Sequence, residues 1–474
     1  MVKKPITCID DDDLALYSKM FTGKLLLRQE IDIPYEIFDE LLHLKFFKQR
    51  PSIRHSTLQQ SCVRCGNSEA HLFGHYPCIQ CQKEHIYCRK CIVMGRISAC
   101  EPLYEWIGPT YTFPSHDQPC SWKGTLTHYQ ERAAEKLVSA IEHGQREFLI
   151  WAVCGSGKTE MLFPGLTRAL QLGMRICIAT PRADVVRELL PRLQEAFRDV
   201  HIQGLYSGSP DKEGTAQLII STTHQLLRFQ EAFDVVIIDE VDAFPYHADA
   251  SLPFATERAK KKRGTMIYLT ATPRQKERRR LMFKRLPYIF VPVRYHNHPL
   301  PVPQLQLQMN LQKQLHSSQG PDFFFSWLER RENKKRQILI FASTIQLAEK
   351  LAKTLTKPLL ENQTIRNEHE LTSVHSEDPD RMEKISRYRK KEIFVLITTT
   401  ILERGVTFPS VDVLVFDAGH EVFDEAALVQ IAGRAGRSAN DPTGDVIFFH
   451  DGKTKAMVRA RKSIEKMNRR ANFK

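Results

Sequence analysis

A glycine-rich loop is the segment of this sequence best suited to chemistry on phosphates. It reads Ala152-Val153-Cys154-Gly155-Ser156-Gly157-Lys158-Thr159. The glycines let the backbone wrap a phosphate closely, with N–H groups directed inward at the start of a helix. Lys158 is then placed to reach the β- and γ-phosphates of a nucleotide, and the hydroxyl of Thr159 is a natural ligand for Mg²⁺.

Two adjacent carboxylates follow the apolar segment from Val235 to Ile238. Asp239 would hold the magnesium ion through water, and Glu240 would orient or deprotonate the attacking water. Together with the glycine loop, this pair predicts a site that binds ATP with Mg²⁺ and hydrolyses the ATP. At the start of an earlier helix, Gln130 is placed to read the adenine edge and Tyr129 to stack nearby. A helix start with a buried tyrosine is the plainer alternative there.

Six of the eleven cysteines form three Cys-x-x-Cys pairs between residues 62 and 91. Each pair can form a tight turn that directs two thiolates at one ion, and two pairs complete a tetrahedral zinc site. Repetition of the pair favours metal over a redox role. The zinc would be structural, because this segment has modest apolar content and would fold poorly alone.

The choice of zinc ligands is open from the spacing alone. The preferred set joins the outer pairs: Cys62, Cys65, Cys88 and Cys91. The middle pair, Cys78 and Cys81, would then be free or form a second weak site with His71, His75 or His85. The rival set combines the middle pair with one outer pair. The other cysteines are scattered: Cys8, Cys100, Cys120, Cys154 and Cys177.

The composition is that of a soluble globular protein with excess positive charge. Hydrophobic residues make up 42% and charged residues 26% of the 474, and no apolar run approaches the ~20 residues of a membrane-spanning helix. The first residues lack the apolar core of an export signal, so a cytoplasmic location is expected, with association at the inner face of the cell membrane left open. The net charge of +13 is clustered, which favours a nucleic acid partner. The clusters are 260–263, 276–280, 334–336, 387–391 and 453–474.

Short apolar strands alternate with helical segments, which predicts an α/β fold with parallel sheets covered on both faces. Ligands of such sheets collect at the carboxyl ends of the strands, where polar residues follow each predicted strand. The proline- and glutamine-rich segment from about 285 to 320 predicts an interdomain connector. The second half has no phosphate loop. Its predicted glycine–arginine helix, Gln430 to Arg437, would instead supply cations to a site formed by the first half. Strands are predicted at 148–153, 175–180, 218–224, 235–238, 266–273, 337–341, 393–397, 413–416 and 446–449.

Seven motifs follow the order found in superfamily-2 helicases and translocases, which residues ~120 to 474 therefore resemble. They are Tyr129-Gln130, the loop at 152–159, Thr180-Pro181-Arg182, Asp239-Glu240-Val241-Asp242, Thr270-Ala271-Thr272, Arg404-Gly405-Val406 and Gln430 to Arg437. Ala152, where the full loop pattern has glycine, occurs in some nucleotide motors. With the cysteine module and segments 222–227, 239–246 and 399–409, the whole chain resembles the ComFA family, late-competence ATPases of transformable Gram-positive bacteria. The middle cysteine pair departs from relatives that carry only four cysteines.

The resemblance implies two tandem RecA-like domains, 119–295 and 296–474, after an N-terminal region 1–118 with its zinc module at about 60–95. It also implies a cytosolic DNA-dependent ATPase needed to take up transforming DNA as a single strand. Without nucleic acid the two halves would sit apart and hydrolyse ATP slowly, and DNA across both would close them.

The resemblance also carries roles onto individual residues. Gln430 would approach the γ-phosphate, Gly405 would lie at the nucleotide, and Arg434 and Arg437 would act as arginine fingers. Thr270 and Thr272 would couple closure to strand contact. Six residues would contact the DNA strand, chiefly at its phosphates: Arg182, Thr222, Thr223, Ser343, Thr399 and Thr400. The alternative for each threonine is a structural role, in which its hydroxyl at a strand end forms hydrogen bonds within the protein.

The implied partners are single-stranded DNA, other late-competence proteins and the membrane DNA-uptake channel, and a homo-oligomer is left open. A replication-restart or repair helicase is an alternative motor. In that family the cysteines interrupt the second lobe, whereas here they precede the first. A third hypothesis is a zinc-dependent DNA-binding scaffold with a decayed ATP site. This hypothesis predicts the loss of catalytic residues, whereas the sequence retains Lys158, Asp239, Glu240 and both arginines.

Overall fold

The computed structural model describes residues 9–56, 59–79 and 81–473, and these form two compact units. The first contains the described residues up to Leu126, together with Glu131–Ile150 and Thr159–Ile289. The second contains Thr127–Gln130, Trp151–Lys158 and the described residues from Phe290 onward. The phosphate loop therefore packs with the second half of the chain. The domain boundaries at 118/119 and 295/296 stay predictions.

The N-terminal region consists of short antiparallel sheets and two helices. Asp10 caps the first helix by accepting a hydrogen bond from the Asp13 N–H at 2.8 Å. An aromatic core of Phe21, Phe38 and Trp106, among others, packs beneath one sheet of order β1-β8-β2. Two further sheets have the orders β3-β4 and β5-β6-β7. In chain order the elements are α1 Asp11–Phe21, β1 Leu25–Leu26, α2 Tyr35–His43, β2 Phe47–Arg50, β3 Ile53–His55, β4 Gln60–Cys62, β5 Phe73–Pro77, β6 Glu84–Cys88, β7 Ile97–Ser98 and β8 Leu103–Trp106.

The first α/β series carries a seven-stranded sheet of order β11-β12-β10-β13-β14-β9-β15. Strands β11, β12, β10, β13 and β14 pair in parallel, and β10 and β12 are buried at every residue, as expected for strands covered on both faces. Its elements are α3 His128–Glu142, β9 Glu147–Ala152, α4 Lys158–Gln171, β10 Ile176–Thr180, α5 Ala183–Ala196, β11 Ile202–Leu205, β12 Leu218–Thr222, β13 Phe233–Ile238, α6 Ser251–Ala259, β14 Lys260–Thr270, α7 Gln275–Met282 and β15 Tyr288–Val291.

The second series forms a six-stranded, parallel sheet of order β16-β21-β20-β17-β19-β18. Thr344, Asp424 and Thr454 cap three of its helices through side-chain oxygens. Its elements are β16 Gln304–Leu307, α8 Leu311–Leu315, α9 Asp322–Arg330, β17 Gln337–Phe341, α10 Ile345–Glu361, β18 Leu371–Val374, α11 Arg381–Arg389, β19 Val395–Thr398, β20 Val411–Val415, α12 Glu425–Ala432, β21 Val446–His450 and α13 Lys455–Arg470. Short 3₁₀ helices lie at Arg28–Glu30, Ala70–Leu72, Arg89–Met94, Thr223–Arg228, Glu368–Glu370 and Thr400–Leu402.

The segment predicted as a connector, 285–320, is more ordered than its composition indicated. Strand β15 forms one edge of the first sheet, and β16 pairs in parallel with β21 at the edge of the second. The prolines at 299, 301 and 303 lie between these two strands, where no ladder donor is required. Glutamines on β16 fit an edge strand that is only partly buried. The α/β class with parallel sheets is confirmed.

The cysteine-rich segment shares a hydrophobic core with the first α/β series. The four cysteines of its outer pairs and Ile53, Ile86 and Ile97 belong to the same cluster as Ile219, Leu226 and other residues of the seven-stranded sheet region. The cysteine-rich module is therefore packed into the first unit and is not attached to it through the chain alone.

Arg258 on α6 is the polar centre of this packing. Its guanidinium donates to the carbonyl oxygens of Val63 at 3.0 Å, Leu227 at 2.6 Å and Phe229 at 3.1 Å, and to that of Arg64. Burial lowers the pKa of Arg258 to about 10, which still leaves the group charged at neutral pH. One side chain thus joins the turn of the first Cys-x-x-Cys pair to the α/β series.

Replacing Arg258 with methionine should destabilise the first unit by about 2–3 kcal/mol, because several buried carbonyl groups lose their donor. Thermal unfolding and amide exchange around the Cys62–Cys65 turn would measure the effect. Arg263→Met, at an exposed arginine on β14, is the matched control and should change neither. Equal unfolding midpoints for the two variants would show that Arg258 does not hold the module in place.

Candidate active site

The glycine-rich loop joins the end of β9 to the start of α4. Gly155 and Gly157 have φ angles of 78° and 71°, in the left-handed region that favours glycine. Helix α4 begins at Lys158, so the N–H groups of its first turn have no partners within the helix and are available to a phosphate. Ser156 Oγ is buried and has no hydrogen-bond partner among the described residues, which suits a group completed by a ligand.

Gln130 supports this loop directly. Its Nε2 donates to the Ser156 carbonyl at 2.8 Å, and its Oε1 accepts from the Thr127 N–H at 2.7 Å. Tyr129 is half-buried and makes an edge contact with the His128 ring. The structure therefore places Gln130 against the phosphate loop, and its contact with adenine stays a prediction.

The segment predicted as a glycine–arginine helix, Gln430 to Arg437, packs on the same loop within the second unit. The helix itself, α12, ends at Ala432, so Arg434 and Arg437 lie after it and not on it. The Cys154 thiol donates to Gln430 Oε1 at 3.0 Å. A Cβ atom added to Gly433 would lie 2.5 Å from Cys154 Cβ, so only glycine allows this approach. Gln430 Nε2 is buried and has no hydrogen-bond partner within the described parts of the chain. The amide nitrogen predicted to approach the γ-phosphate is thus held beside the loop that would bind the phosphates.

Arg294, which the sequence did not single out, makes a second attachment. Its guanidinium donates to the carbonyls of Gly436 and, at 2.9 Å, Ala435, and the next residue, Tyr295, donates its N–H to the Gly155 carbonyl at 3.0 Å. Burial lowers the pKa of Arg294 to about 9, with a further contribution from Arg437, so it remains charged at neutral pH. No local motif marks this residue, because its partners lie 141 and 142 positions later in the chain.

The two predicted arginine fingers differ in exposure. Arg434 is buried and its Nε donates to the Glu403 carbonyl at 3.0 Å, whereas Arg437 is half-buried and its Nε donates to the Gly433 carbonyl at 2.8 Å. Gly405 has a φ of 74°, so the turn that carries it uses glycine's conformational freedom. Arg434 therefore contacts the turn that contains Glu403 and Gly405. The role of Arg434 and Arg437 as arginine fingers stays a prediction.

In the first unit, the carboxylate pair follows β13 as predicted. The Asp239 N–H donates to the Ala179 carbonyl at 2.8 Å, which fixes the strand end. Glu240 has a φ of 57°, a conformation that costs energy for a residue other than glycine and is concentrated at functional sites. Its N–H donates to Asp239 Oδ1 at 2.9 Å, and its Oε2 is buried with no partner among the residues described. This geometry suits a carboxylate that orients a water molecule.

Asp242 links the carboxylate pair to the Thr270-Ala271-Thr272 motif. Its side chain is buried and accepts from Thr270 Oγ1 at 2.6 Å and from Thr272 Oγ1. The Thr272 N–H donates to Thr270 Oγ1 at 2.9 Å, and Arg274 Nε donates to the Asp242 carbonyl at 2.8 Å. The sequence indicated the threonines but not their anchor. The two threonines are thus hydrogen-bonded to a residue that lies two positions after Glu240 in the chain.

The structure groups the four cysteines of the preferred zinc set. Their sulfurs all lie within 4.8 Å of one another and are buried, with Cys62–Cys91 at 3.7 Å and Cys65–Cys88 at 3.5 Å. Sulfur–sulfur separations of ~3.8 Å are expected around a tetrahedral zinc ion with Zn–S bonds of ~2.3 Å. The donor set and its spacing therefore fit zinc, and Gly66 (φ 72°) allows the turn. The middle pair groups elsewhere: the sulfurs of Cys78 and Cys81 lie with that of Cys100.

Three families of known proteins match successive parts of the chain. Residues 11–105 match the N-terminal domain of competence protein ComFA, residues 123–275 the res subunit of type III restriction enzymes, and residues 322–439 the helicase conserved C-terminal domain. Competence protein ComFA of Bacillus subtilis (strain 168) is 43% identical over 444 residues, covering 94% of this chain and 93% of that protein. This chain belongs to the ComFA family.

A second ComFA protein, from Streptococcus pneumoniae (strain ATCC BAA-255 / R6), is 38% identical over 387 residues, which cover 82% of this chain and 87% of that protein. In fold, the chain is similar to S. cerevisiae Dbp5 bound to RNA and ADP BeF3, with a TM-score of 0.53 and 20% identity, covering 72% of this chain and 88% of that one. The predicted fold, a superfamily-2 core of tandem RecA-like domains, is confirmed. The ComFA-family chain is a competence-related, helicase-like ATPase.

The predicted DNA contacts of the first unit lie at strand ends, but not all are accessible. Arg182 directly precedes α5 and lies 3.9 Å from Asp184, and Thr222 ends β12 with little exposure. Thr223 is fully buried, and its Oγ1 has no hydrogen-bond partner within the described residues. Thr223 does not present its hydroxyl at the surface in this structure, because the 3₁₀ helix that it begins packs into the core.

The predicted DNA contacts of the second unit are more open. Ser343 follows β17 and donates to Asp417 Oδ2 at 3.2 Å. Thr399 and Thr400 follow β19 and are partly exposed. All three lie after the carboxyl ends of neighbouring parallel strands, which pair directly. They form a consistent polar edge, and their contact with DNA stays a prediction.

The basic clusters offer less free positive charge than the sequence indicated. Lys261 pairs with Asp234 at 2.9 Å, Lys260 is buried 3.4 Å from Glu257, and Arg336 pairs with Asp441 at 2.6 Å. These ion pairs neutralise part of the charge that favoured a nucleic acid partner.

None of the helices in the described ranges combines the length and apolar character needed to cross a membrane.

Gly433→Ala should lower the ATPase rate by about a hundredfold, because the added methyl group would displace the phosphate loop from Gln430. Gly419→Ala is the matched control, since the nearest atom to its added Cβ is 3.7 Å away. Steady-state ATP hydrolysis of the two variants would be compared under conditions in which both are equally stable to thermal unfolding. Turnover by Gly433→Ala at the wild-type rate would show that close packing on Cys154 is not needed.

Proposed function

We propose that this ComFA-family ATPase is a motor that moves single-stranded DNA during the uptake of transforming DNA. The observation that carries the proposal is the contact of the phosphate loop with the glycine–arginine helix, through Cys154, Gln430 and Gly433. A nucleotide on that loop would touch residues of the second half of the chain as well. Binding and hydrolysis would then change how the second half is held, which is what a motor requires.

The chemistry would use groups from both motifs. Lys158 and the loop N–H groups would hold the phosphates, and Glu240 would orient the attacking water. Thr159 and Asp239 would hold Mg²⁺, which neutralises charge developing on the phosphates. Arg434 and Arg437 would stabilise the transferring phosphoryl group, a contribution worth on the order of 10³- to 10⁵-fold in rate. Gln430 Nε2, buried and without a partner in the described chain, is available to the γ-phosphate.

DNA would be bound through its phosphates, at the strand-end residues Arg182, Thr222, Ser343, Thr399 and Thr400. Such contacts give affinity without sequence preference and make it sensitive to salt. The hydrogen bonds from Thr270 and Thr272 to Asp242 support a link from strand contact to the carboxylate pair. DNA binding would therefore set the rate at which Glu240 activates water.

Zinc would be structural and held by Cys62, Cys65, Cys88 and Cys91. Because these thiols share a core with the seven-stranded sheet, the ion would stabilise the ATPase unit as well as the N-terminal module. We further propose that the protein works on the cytoplasmic side with other late-competence proteins and the membrane DNA-uptake channel. The proposal is compatible with a monomer or a homo-oligomer.

Lys158→Ala and Glu240→Gln should each reduce ATP hydrolysis by at least about a hundredfold while leaving single-stranded DNA binding largely intact. The first removes the cation on the phosphates, and the second removes the carboxylate that activates water. Lys136→Ala, at an exposed lysine on α3, serves as the control. Hydrolysis at the wild-type rate in both active-site variants would remove the assigned site.

Single-stranded DNA should stimulate ATP hydrolysis more than duplex DNA or RNA of the same length. The stimulation should fall steeply with salt and be insensitive to base sequence, since phosphates provide the contacts. A coupled ATPase assay over these three polymers and a salt series would measure it. Equal stimulation by RNA would identify an RNA remodeller instead, and no stimulation by any polymer would contradict a nucleic acid motor.

A further inference from the structure

Three thiols converge at the turn of the β5–β6 hairpin, and an imidazole lies beside one of them. The sulfurs of Cys78 and Cys81 lie 3.5 Å and 3.6 Å from that of Cys100, and all three lie within 4.8 Å of one another. His85, on β6, places its Nε2 2.9 Å from the Cys81 sulfur. Cys100 follows β7, so the group joins the hairpin turn to a segment that is separate in sequence.

The separations fit coordination of one ion and not a disulfide. A disulfide needs two sulfurs at ~2.05 Å, whereas edges of a tetrahedral zinc–thiolate site are ~3.8 Å. The measured 3.5 and 3.6 Å match the 3.5 and 3.7 Å between sulfurs of the four-cysteine cluster. Three thiols with one histidine form a common donor set of structural zinc sites.

The backbone supports the same conclusion independently of the side chains. In the first Cys-x-x-Cys turn, the Cys62 carbonyl accepts from Gly66 N–H at 2.8 Å, and the Cys62 N–H donates to the Asn67 carbonyl at 2.8 Å. The Cys78 turn repeats this pattern, with Cys78 accepting from Gln82 and donating to Lys83, both at 2.9 Å.

The two turns also share a positive φ at the equivalent position: 72° at Gly66 and 55° at Gln82. A glutamine in the left-handed region is unfavourable and needs support from its surroundings. The hairpin therefore has the same backbone turn as the first Cys-x-x-Cys pair of the four-cysteine cluster, and its glutamine adopts that turn at an energetic cost.

Cys100 is held toward this turn. Its N–H donates to Ser98 Oγ at 3.2 Å, and Ser98 Oγ also bonds to the Tyr76 hydroxyl on β5 at 2.7 Å. The Ser98 carbonyl in turn accepts from Ser52 Oγ. The third thiol is thus positioned by hydrogen bonds that tie it to the hairpin itself.

We propose that Cys78, Cys81, Cys100 and His85 form a second structural zinc site, distinct from the four-cysteine cluster. On binding, the three thiols release their protons to solvent and bind the ion as thiolates. The hairpin tip has little apolar support, since Ile79 within the turn is 95% exposed. The ion would clamp this tip to the segment between β7 and β8 and so order the outer end of the module.

The test is the zinc content of the purified full-length chain, measured by elemental analysis per protein. The wild type should hold two equivalents, and Cys100→Ser should hold one. Cys120→Ser, at a half-exposed cysteine outside both clusters, is the matched control and should hold two. A single equivalent in the wild type, or two in Cys100→Ser, would overturn the second site.

The fourth ligand is tested by a pair of histidine variants on the same hairpin. His85→Gln should lose one equivalent or bind it at least about tenfold more weakly, whereas His75→Gln, at an exposed histidine on β5, should match the wild type. Two tightly held equivalents in His85→Gln would remove His85 from the ligand set. Because serine at position 100 could disturb folding, Co²⁺ titration of the unmutated apo-protein provides a second measurement. Thiolate–cobalt absorbance that saturates at two equivalents supports the site, and saturation at one contradicts it.

Discussion

The phosphate loop depends on contacts with residues that lie far along the chain. The Cys154 thiol donates a hydrogen bond to Gln430 across 276 positions, and Gly433 is required because an added Cβ atom would lie 2.5 Å from the Cys154 Cβ. Arg294 adds a buried, charged link to the carbonyls of Ala435 and Gly436. The loop predicted to bind phosphates is therefore packed against the segment that carries Gln430 and, after α12 ends, the two predicted arginine fingers. In the proposed function, a nucleotide on this loop would therefore lie beside residues of the second half of the chain, without a long relay between them.

Within the first unit, hydrogen bonds and a shared core join the carboxylate pair, the threonine motif and the cysteine module to the seven-stranded sheet. Asp242, two residues after Glu240, accepts hydrogen bonds from Thr270 and Thr272, which ties the turn after β13 to the threonine motif. On the outer side, Arg258 and a shared core bind the cysteine module to the same unit. If the cysteine module binds zinc as proposed, an ion packed this closely would also stabilise the ATPase unit. The two cysteine clusters would then order successive ends of one module, the first against the sheet and the second at the hairpin tip.

Local patterns in the sequence were enough to predict the fold class, the two series of parallel strands and the placement of the loop and carboxylates at strand ends. These features follow from residues that are close in sequence: a glycine turn after an apolar strand, or carboxylates at its end. The residues that were missed act over long separations. Arg294 and Asp242 owe their roles to partners brought near by folding, and Cys100 joins a turn from which it is separated by β6 and β7. Its spacing after Cys78 and Cys81 was the one signal that could have revealed it. The family resemblance predicts Thr223 as a DNA contact, but the 3₁₀ helix that Thr223 begins packs into the core and buries it.

The most direct measurement is the affinity of the Glu240→Gln variant for a fluorescent single-stranded oligonucleotide, with and without ATP and Mg²⁺. This variant retains the phosphate loop and all of its packing contacts, so it isolates binding from turnover. If nucleotide and DNA act on one coupled structure, ATP should tighten DNA binding by at least about fivefold, and DNA should tighten ATP binding by the same factor. Identical DNA affinities with and without ATP would contradict the coupling on which the proposed motor depends.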